Sequence, residues 1–236
     1  MRGPFGGYVS TFLTRALIAA VGDAERLPRS LTVQFLAALR AGPVEVAATV
    51  ERAGRSATVA SLRMEQDGAP VAIALGAAAK WRDGDPAWAD AEPPIAAPPE
   101  AASPLGRDGP MPPFFDHFDV RWVDGGAPGR PSPTGRNVAW LRPRGGGPLD
   151  HLAVTAMSDG WMPAAFSKLG RFADVPTLDL TIHFRAPLPV ADEWALAVYS
   201  TRFSAGGTWE EDGELWTPGG TLLAQSRQLA MIRDRA

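Results

Sequence analysis

The same succession of elements occurs twice along this chain, in residues 1–82 and again in residues 114–236, and nothing else narrows its fold as much. In the first stretch, Phe5-Gly6-Gly7-Tyr8 opens an apolar helix running to about Val21, and strands follow near 30–41, 44–53, 56–66 and 70–81. In the second, Pro148-Leu149 opens a helix to about Phe166, followed by strands near 178–186, 193–203, 208–217 and 221–233. The leading strands share a pattern, Leu31-Thr32-Val33-Gln34-Phe35 beside Leu180-Thr181-Ile182-His183-Phe184. In each, apolar residues alternate with polar ones, so one face of the strand is apolar. Asp67-Gly68 and Gly219-Gly220 stand at equivalent hairpin positions, where the chain needs a positive φ.

Between the repeats, residues 83–113 are dense in Pro, Ala and acids, with Pro93-Pro94, Pro98-Pro99 and Pro112-Pro113 pairs. Proline fixes φ and removes a backbone donor, so this segment is expected to be an extended, partly ordered linker crossing the surface. The second half has two further strands before its helix, Phe115 to Val123 and Asn137 to Arg142. The first half, whose helix begins almost at Met1, is expected to lack its first strand region. A helix followed by a four-stranded antiparallel meander, repeated after a linker, predicts an α+β double hotdog: each central helix is wrapped by an antiparallel sheet, and the two sheets join. Each unit exposes an edge strand, which predicts a homodimer.

Composition removes several classes of function. The net charge is -3 and no basic run occurs, so neither a nucleic-acid footprint nor an acidic-lipid surface is indicated. With no cysteine there is no disulfide, thiolate nucleophile or zinc-thiolate site. Tyr8 to Val21 contains Ser10, Thr11, Thr14 and Arg15, too short and too polar for a membrane span, and with only Arg2 before it and no small-residue cleavage pattern it does not read as a secretory signal. A cytoplasmic location is therefore expected. Gly-x-Ser-x-Gly, His-Glu-x-x-His and phosphate-loop patterns are all missing. His117, His151 and His183 have no ligand spacing, so no metal is expected, and the three read as surface or interdomain residues.

Three polar residues stand out. If the second helix continues through Pro163, Asp159 lies at i+7 from Leu152 and i+3 from Ala156, on the sheet-facing stripe. The same Ser158-Asp159-Gly160 also fits a turn that ends the helix. In the last strand, Gln228 shares a face with Leu222, Ala224, Ala230 and Ile232, either as a structural amide or as a functional one. Thr177 is the weakest of the three, because counting back from Leu180 puts it on the polar face unless the strand is irregular at its start.

These residues carry a family resemblance over nearly the whole chain. Phe5-Gly6-Gly7, Arg40 to Gly42 and Arg52-x-Gly54-Arg55-Ser56 resemble segments of the bacterial type II acyl-CoA thioesterases and their thioesterase-like relatives. So do Ser158-Asp159, Thr177-x-Asp179 ahead of Phe184 and Pro187, and Gln228 five residues before Arg233. The resemblance implies hydrolysis of an acyl-CoA thioester without a cofactor, by a water that Asp159, Thr177 and Gln228 orient. Backbone N–H groups of Gly6 or Gly7, at a helix N-terminus, are candidate donors to the oxyanion, although close helix packing explains these glycines equally well. Val33, Phe35, Leu180 and Ile182 are candidates to line an acyl tunnel. The polar, glycine-rich stretch Thr208 to Glu214 departs from the family pattern. Two other readings stay open, a hotdog hydratase or dehydratase and a non-catalytic acyl-CoA-binding protein.

Overall fold

The computed structural model describes residues 3–84, 87–106, 112–126 and 130–233. In the first half, helix α1 (Gly6–Val21) is followed by β1 (Arg26–Phe35), β2 (Glu45–Ala53), β3 (Ala57–Gln66) and β4 (Ala69–Lys80). A short β5 (Ser103–Pro104) precedes β6 (Phe118–Gly125), β7 (Arg136–Pro143) and the helices α2 (His151–Met157) and α3 (Ala164–Leu169). Then come β8 (Thr177–Phe184), β9 (Ala195–Ser200), β10 (Ser204–Ala205), β11 (Thr208–Trp216) and β12 (Leu222–Met231). The strands form one sheet in the order β2-β3-β4-β1-β8-β12-β11-β9-β7-β6-β5, with β10 on β11. This is the double hotdog that the repeat predicts.

The halves meet where β1 pairs with β8. Leu31 opposes Ile182, Thr32 opposes Thr181, and Val33 opposes Leu180. Since these are the residues of the repeated motif, the seam has a local twofold centred on two threonines, and the Thr181 hydroxyl donates to that of Thr32 at 3.1 Å. The hairpin at Asp67-Gly68 has the positive φ at both residues that its sequence requires, 52° and 73°.

Helix α1 buries Val9, Leu13 and Leu17 against Leu31, Val33, Leu62 and Met64, the apolar faces of the first-half strands. It also packs on α2, where Thr14 and Thr155 share a hydrogen bond of 3.0 Å. Gly7 makes this contact close: a Cβ there would lie 2.5 Å from the Ala156 carbonyl oxygen. Val33, Leu180 and Ile182 are fully buried and serve as core, so these three do not line an open tunnel. Phe35, only partly buried, lies at the edge of both clusters.

Part of the linker packs on the second half. Ala96 and Ala102 lie against Trp140, Leu196, Val198 and Trp216 on the outer face of the second half, and the Trp140 indole N–H donates to the Ala97 carbonyl at 2.9 Å. The outer face of the first half has no such cover among the described residues, and Leu75 there is 59% exposed.

Several boundaries differ from expectation. The first strand begins at Arg26, not near residue 30, because the ladder skips between Pro28 and Ser30 and so accommodates a proline without a donor. It ends at Phe35 because the N–H groups of Leu36 and Ala37 both turn to the Val71 carbonyl. The second helix is not continuous to Phe166: it stops at Met157, turns through Ser158 to Pro163, and resumes at Ala164. The Ser158 hydroxyl donates back to the Val154 carbonyl, and Pro163 has no N–H with which to continue the ladder. His151, expected near the surface, is 6% exposed at the start of α2, with its ring 5.1 Å from that of Phe184.

Candidate active site

Asp159 sits in the turn after α2, yet its carboxylate points inward. Oδ2 accepts the N–H of Gly7 at 2.9 Å, at the first turn of α1, where free backbone donors and the helix dipole favour a negative charge. The turn reading of Ser158-Asp159-Gly160 therefore holds and the continuous helix does not, yet the turn itself carries the carboxylate into the interior. A side chain on Gly6 would reach within 3.0 Å of Oδ2 and 2.9 Å of the Phe35 ring, so glycine at that position leaves the acid its room.

Thr177 reaches the same place through a bulge. Leu229 pairs with Asp179, but Ala230 pairs with Thr177, so Leu178 is skipped and Thr177 turns to the inner face with Leu180. The irregular strand start that its alternation demanded is present. Its hydroxyl donates to Gln228 Oε1 at 2.9 Å. Gln228, 4% exposed, points inward from β12, and its Nε2 donates to Asp159 Oδ1 at 3.4 Å. Side chains from a turn, a bulged strand start and a central strand thus form one hydrogen-bonded series.

The structure adds a residue that the sequence reading passed over. Glu211, 4% exposed, lies opposite Gln228 in the β11–β12 ladder and accepts its Nε2 at 2.7 Å, while the N–H of Ala164 donates to its other oxygen at 2.5 Å. The signal was available: Trp209, Glu211, Gly213 and Leu215 alternate along β11, with Trp209 and Leu215 buried. The Tyr199 hydroxyl, also inside, donates to the Met157 carbonyl.

Burial sets the electrostatics. It pushes the Asp159 carboxyl up to about 6, against the N–H groups of Gly7 and Gly6 and the Gln228 amide, which favour the ionised form. Burial lifts Glu211 further, to about 8, helped by the charge of Asp159 and opposed by the Ala164 N–H and the Gln228 amide. Two inward-facing acids that share the Gln228 amide therefore titrate near or above the range where a proton acceptor works at neutral pH. As placed, Gly7 serves the carboxylate, so its N–H is not free for an oxyanion until Asp159 moves or is protonated. A lone buried His151 ring does not join this group. Burial holds it down to about 4, and its Nε2 has no protein partner.

Comparison with other proteins identifies the family. Residues 1–79 match the acyl-CoA thioesterase N-terminal domain, and residues 89–232 match the acyl-CoA thioesterase C-terminal domain. An uncharacterized protein of Mycobacterium tuberculosis is 29% identical, over 96% of this chain and 85% of its own length. A hot dog fold protein of unknown function from Alicyclobacillus acidocaldarius superposes with a TM-score of 0.89 at 29% identity, covering 100% of this chain and 89% of that one. The acyl-CoA thioesterase II TesB2 of Mycobacterium marinum shares the fold, with a TM-score of 0.76 at 24% identity over 98% of this chain and 91% of its own. With both of its halves matched, the chain belongs to the acyl-CoA thioesterase family.

Proposed function

We propose that the protein hydrolyses an acyl-CoA thioester to the free acid and CoA by direct attack of a water. One observation carries this reading: Asp159, Thr177 and Gln228 converge, with the carboxyl raised to about 6. Because the Thr177 hydroxyl donates to Gln228, its lone pairs are left to accept one hydrogen of a water while Asp159 accepts the other. The water lone pair is then aimed at the thioester carbonyl. As the new C–O bond forms, Asp159 takes the proton; when the C–S bond breaks, that proton passes to the departing sulfur, so the free acid and the CoA thiol leave and the carboxylate is restored. No covalent enzyme intermediate and no metal or cofactor is invoked. Gly6 and Gly7 remain the proposed backbone donors to the oxyanion. Gly7 becomes available once Asp159 is protonated and its hold on that N–H weakens.

The proposed setting is cytoplasmic, and no helix among the described residues is long and apolar enough to cross a membrane. The proposed assembly is a homodimer through the open edge of β2, whose residues are almost all exposed. Sedimentation showing a stable monomer at micromolar concentration would count against it. The activity is tested with a panel of acyl-CoAs and a free-thiol readout on the parent and on Asp159→Asn. CoA release by the parent alone is the expected result. Binding without release from any chain length would favour a non-catalytic acyl-CoA carrier.

A further inference from the structure

We infer that Glu211 is a positioning residue that decides which way the Gln228 amide faces, and so which atoms of Thr177 and Asp159 are free to hold the attacking water. The inference rests on the hydrolytic reading above. An amide side chain can turn over at little steric cost, exchanging its oxygen and its NH2, so something must choose between the two senses. Here one sense joins every partner: Nε2 donates to Glu211 at 2.7 Å and to Asp159 at 3.4 Å, and Oε1 accepts from Thr177 at 2.9 Å. The contact to Glu211 is the shorter of the two donated bonds.

An ionised carboxylate offers only acceptors. With one Glu211 oxygen already taking the Ala164 N–H, the other can face only a donor, and a reversed Gln228 would set its carbonyl oxygen against it. Reversal would also remove the donor from Asp159 and present NH2 to Thr177. The threonine would then accept from the amide, and its own O–H, no longer held by Gln228, would turn toward the water as a donor where an acceptor is needed. The titratable groups facing Glu211 are Asp159 from the turn after α2, Tyr199 from β9 and its own neighbour Glu210. The first and third are acids, which together with burial keep its proton on to about 8, so the hold on Gln228 tightens as pH rises through that region.

Glu211→Gln tests this with almost no change of shape. To keep an acceptor for Ala164, the new side chain must present its NH2 to Gln228, which then turns its own oxygen toward it. Read at pH 9, where Glu211 is ionised, the expected result is a kcat lowered on the order of tenfold or more with KM changed less than threefold, and loss of any rise in kcat between pH 7 and 9 that the parent shows. Because Glu211 acts through Gln228, adding Glu211→Gln to Gln228→Ala should lower kcat no further, whereas independent contributions would multiply. Glu211→Met, similar in volume and unable to accept as a carboxylate does, repeats the cycle if the glutamine variant does not fold. Multiplicative losses, or a Glu211→Gln enzyme within twofold of the parent at every pH, would overturn the assignment. Asp159→Asn run beside it separates the two claims. If that variant also matches the parent, the hydrolytic reading falls, and Glu211's role with it. If only Asp159→Asn loses turnover, Glu211's role alone is overturned.

Discussion

The two halves put opposite chemistry at equivalent places. About the twofold at Thr32 and Thr181, Leu31 corresponds to Leu180. Gly76, opposite Leu31, therefore corresponds to Gln228, opposite Leu180. One strand further out, Ala60 corresponds to Glu211. The correspondence extends into the irregular strand starts, where Pro28 pairs with Ala78 as Thr177 pairs with Ala230. Thus the glutamine, the glutamate and the threonine of the second half are a glycine, an alanine and a proline in the first. Leu17 fills the space that remains, close enough that a Cβ on Gly76 would lie 2.5 Å from its Cδ2. One backbone plan supports either a packed apolar pocket or a polar site, and the choice rests on a few inward positions.

The largest expected effect tests the polar half. Asp159→Asn should lower kcat on the order of a hundredfold or more while calorimetry shows acyl-CoA bound as before, because an amide can accept a hydrogen bond but cannot take the proton. Turnover within threefold of the parent would remove the distinction between the halves. Next comes the apolar half: Gly76→Ala forces a methyl into Leu17 and should destabilise the fold by about 1–3 kcal/mol in urea unfolding, leaving kcat per folded molecule unchanged. A tenfold fall in kcat would mean that the first-half pocket takes part in turnover. Gln228→Ala should cost about tenfold in kcat, less than Asp159→Asn, since it loses orientation rather than proton acceptance.

The smallest effect has a definite sign. The folded pKa of Asp159, about 6, lies above its ordinary 3.8, so the folded protein binds the proton more tightly than the unfolded chain does. The ionised carboxylate therefore destabilises the fold, fully above pH 6, and this loss is recovered as pH falls from about 6 toward 4. Turnover should run the other way, with kcat/KM declining as pH falls through about 6. Asp159→Asn should raise Tm at neutral pH by a few degrees, on the order of 1–2 kcal/mol once water reaching the half-buried group is allowed for. A lowered Tm would show that the carboxylate holds the α1–α2 contact together more than its burial opposes it.

Much of the fold could be read from the alternation of Leu31 to Phe35 and Leu180 to Phe184, because burial on one face imposes a period of two that sequence displays directly. The packing of Ala96, Ala97 and Ala102 could not, since these contacts are single alanines and a carbonyl meeting tryptophans far along the chain. At the site, face counting placed Gln228 but left Thr177 on the wrong side. A bulge adds one residue to one strand only, and its partner strand carries no mark of it. Glu211 was visible to the same count that found Gln228, yet the surrounding Thr208 to Glu214 reads as polar and glycine-rich, and composition obscured the period. The engagement of Gly7 with Asp159 spans 152 positions and leaves no local trace.

The seam at Thr32 and Thr181 joins two units that a pair of identical chains could also have formed by association. In such a pair every substitution is made twice, so a buried acid that serves one pocket must also strain the other. Joining the units in one chain ends that obligation. Each inward position can vary alone, and Leu17 with Gly76 can tighten one pocket while Glu211 and Gln228 keep the other polar. The consequence is an asymmetric distribution of work, with one half free to act as ballast that offsets the strain of its neighbour.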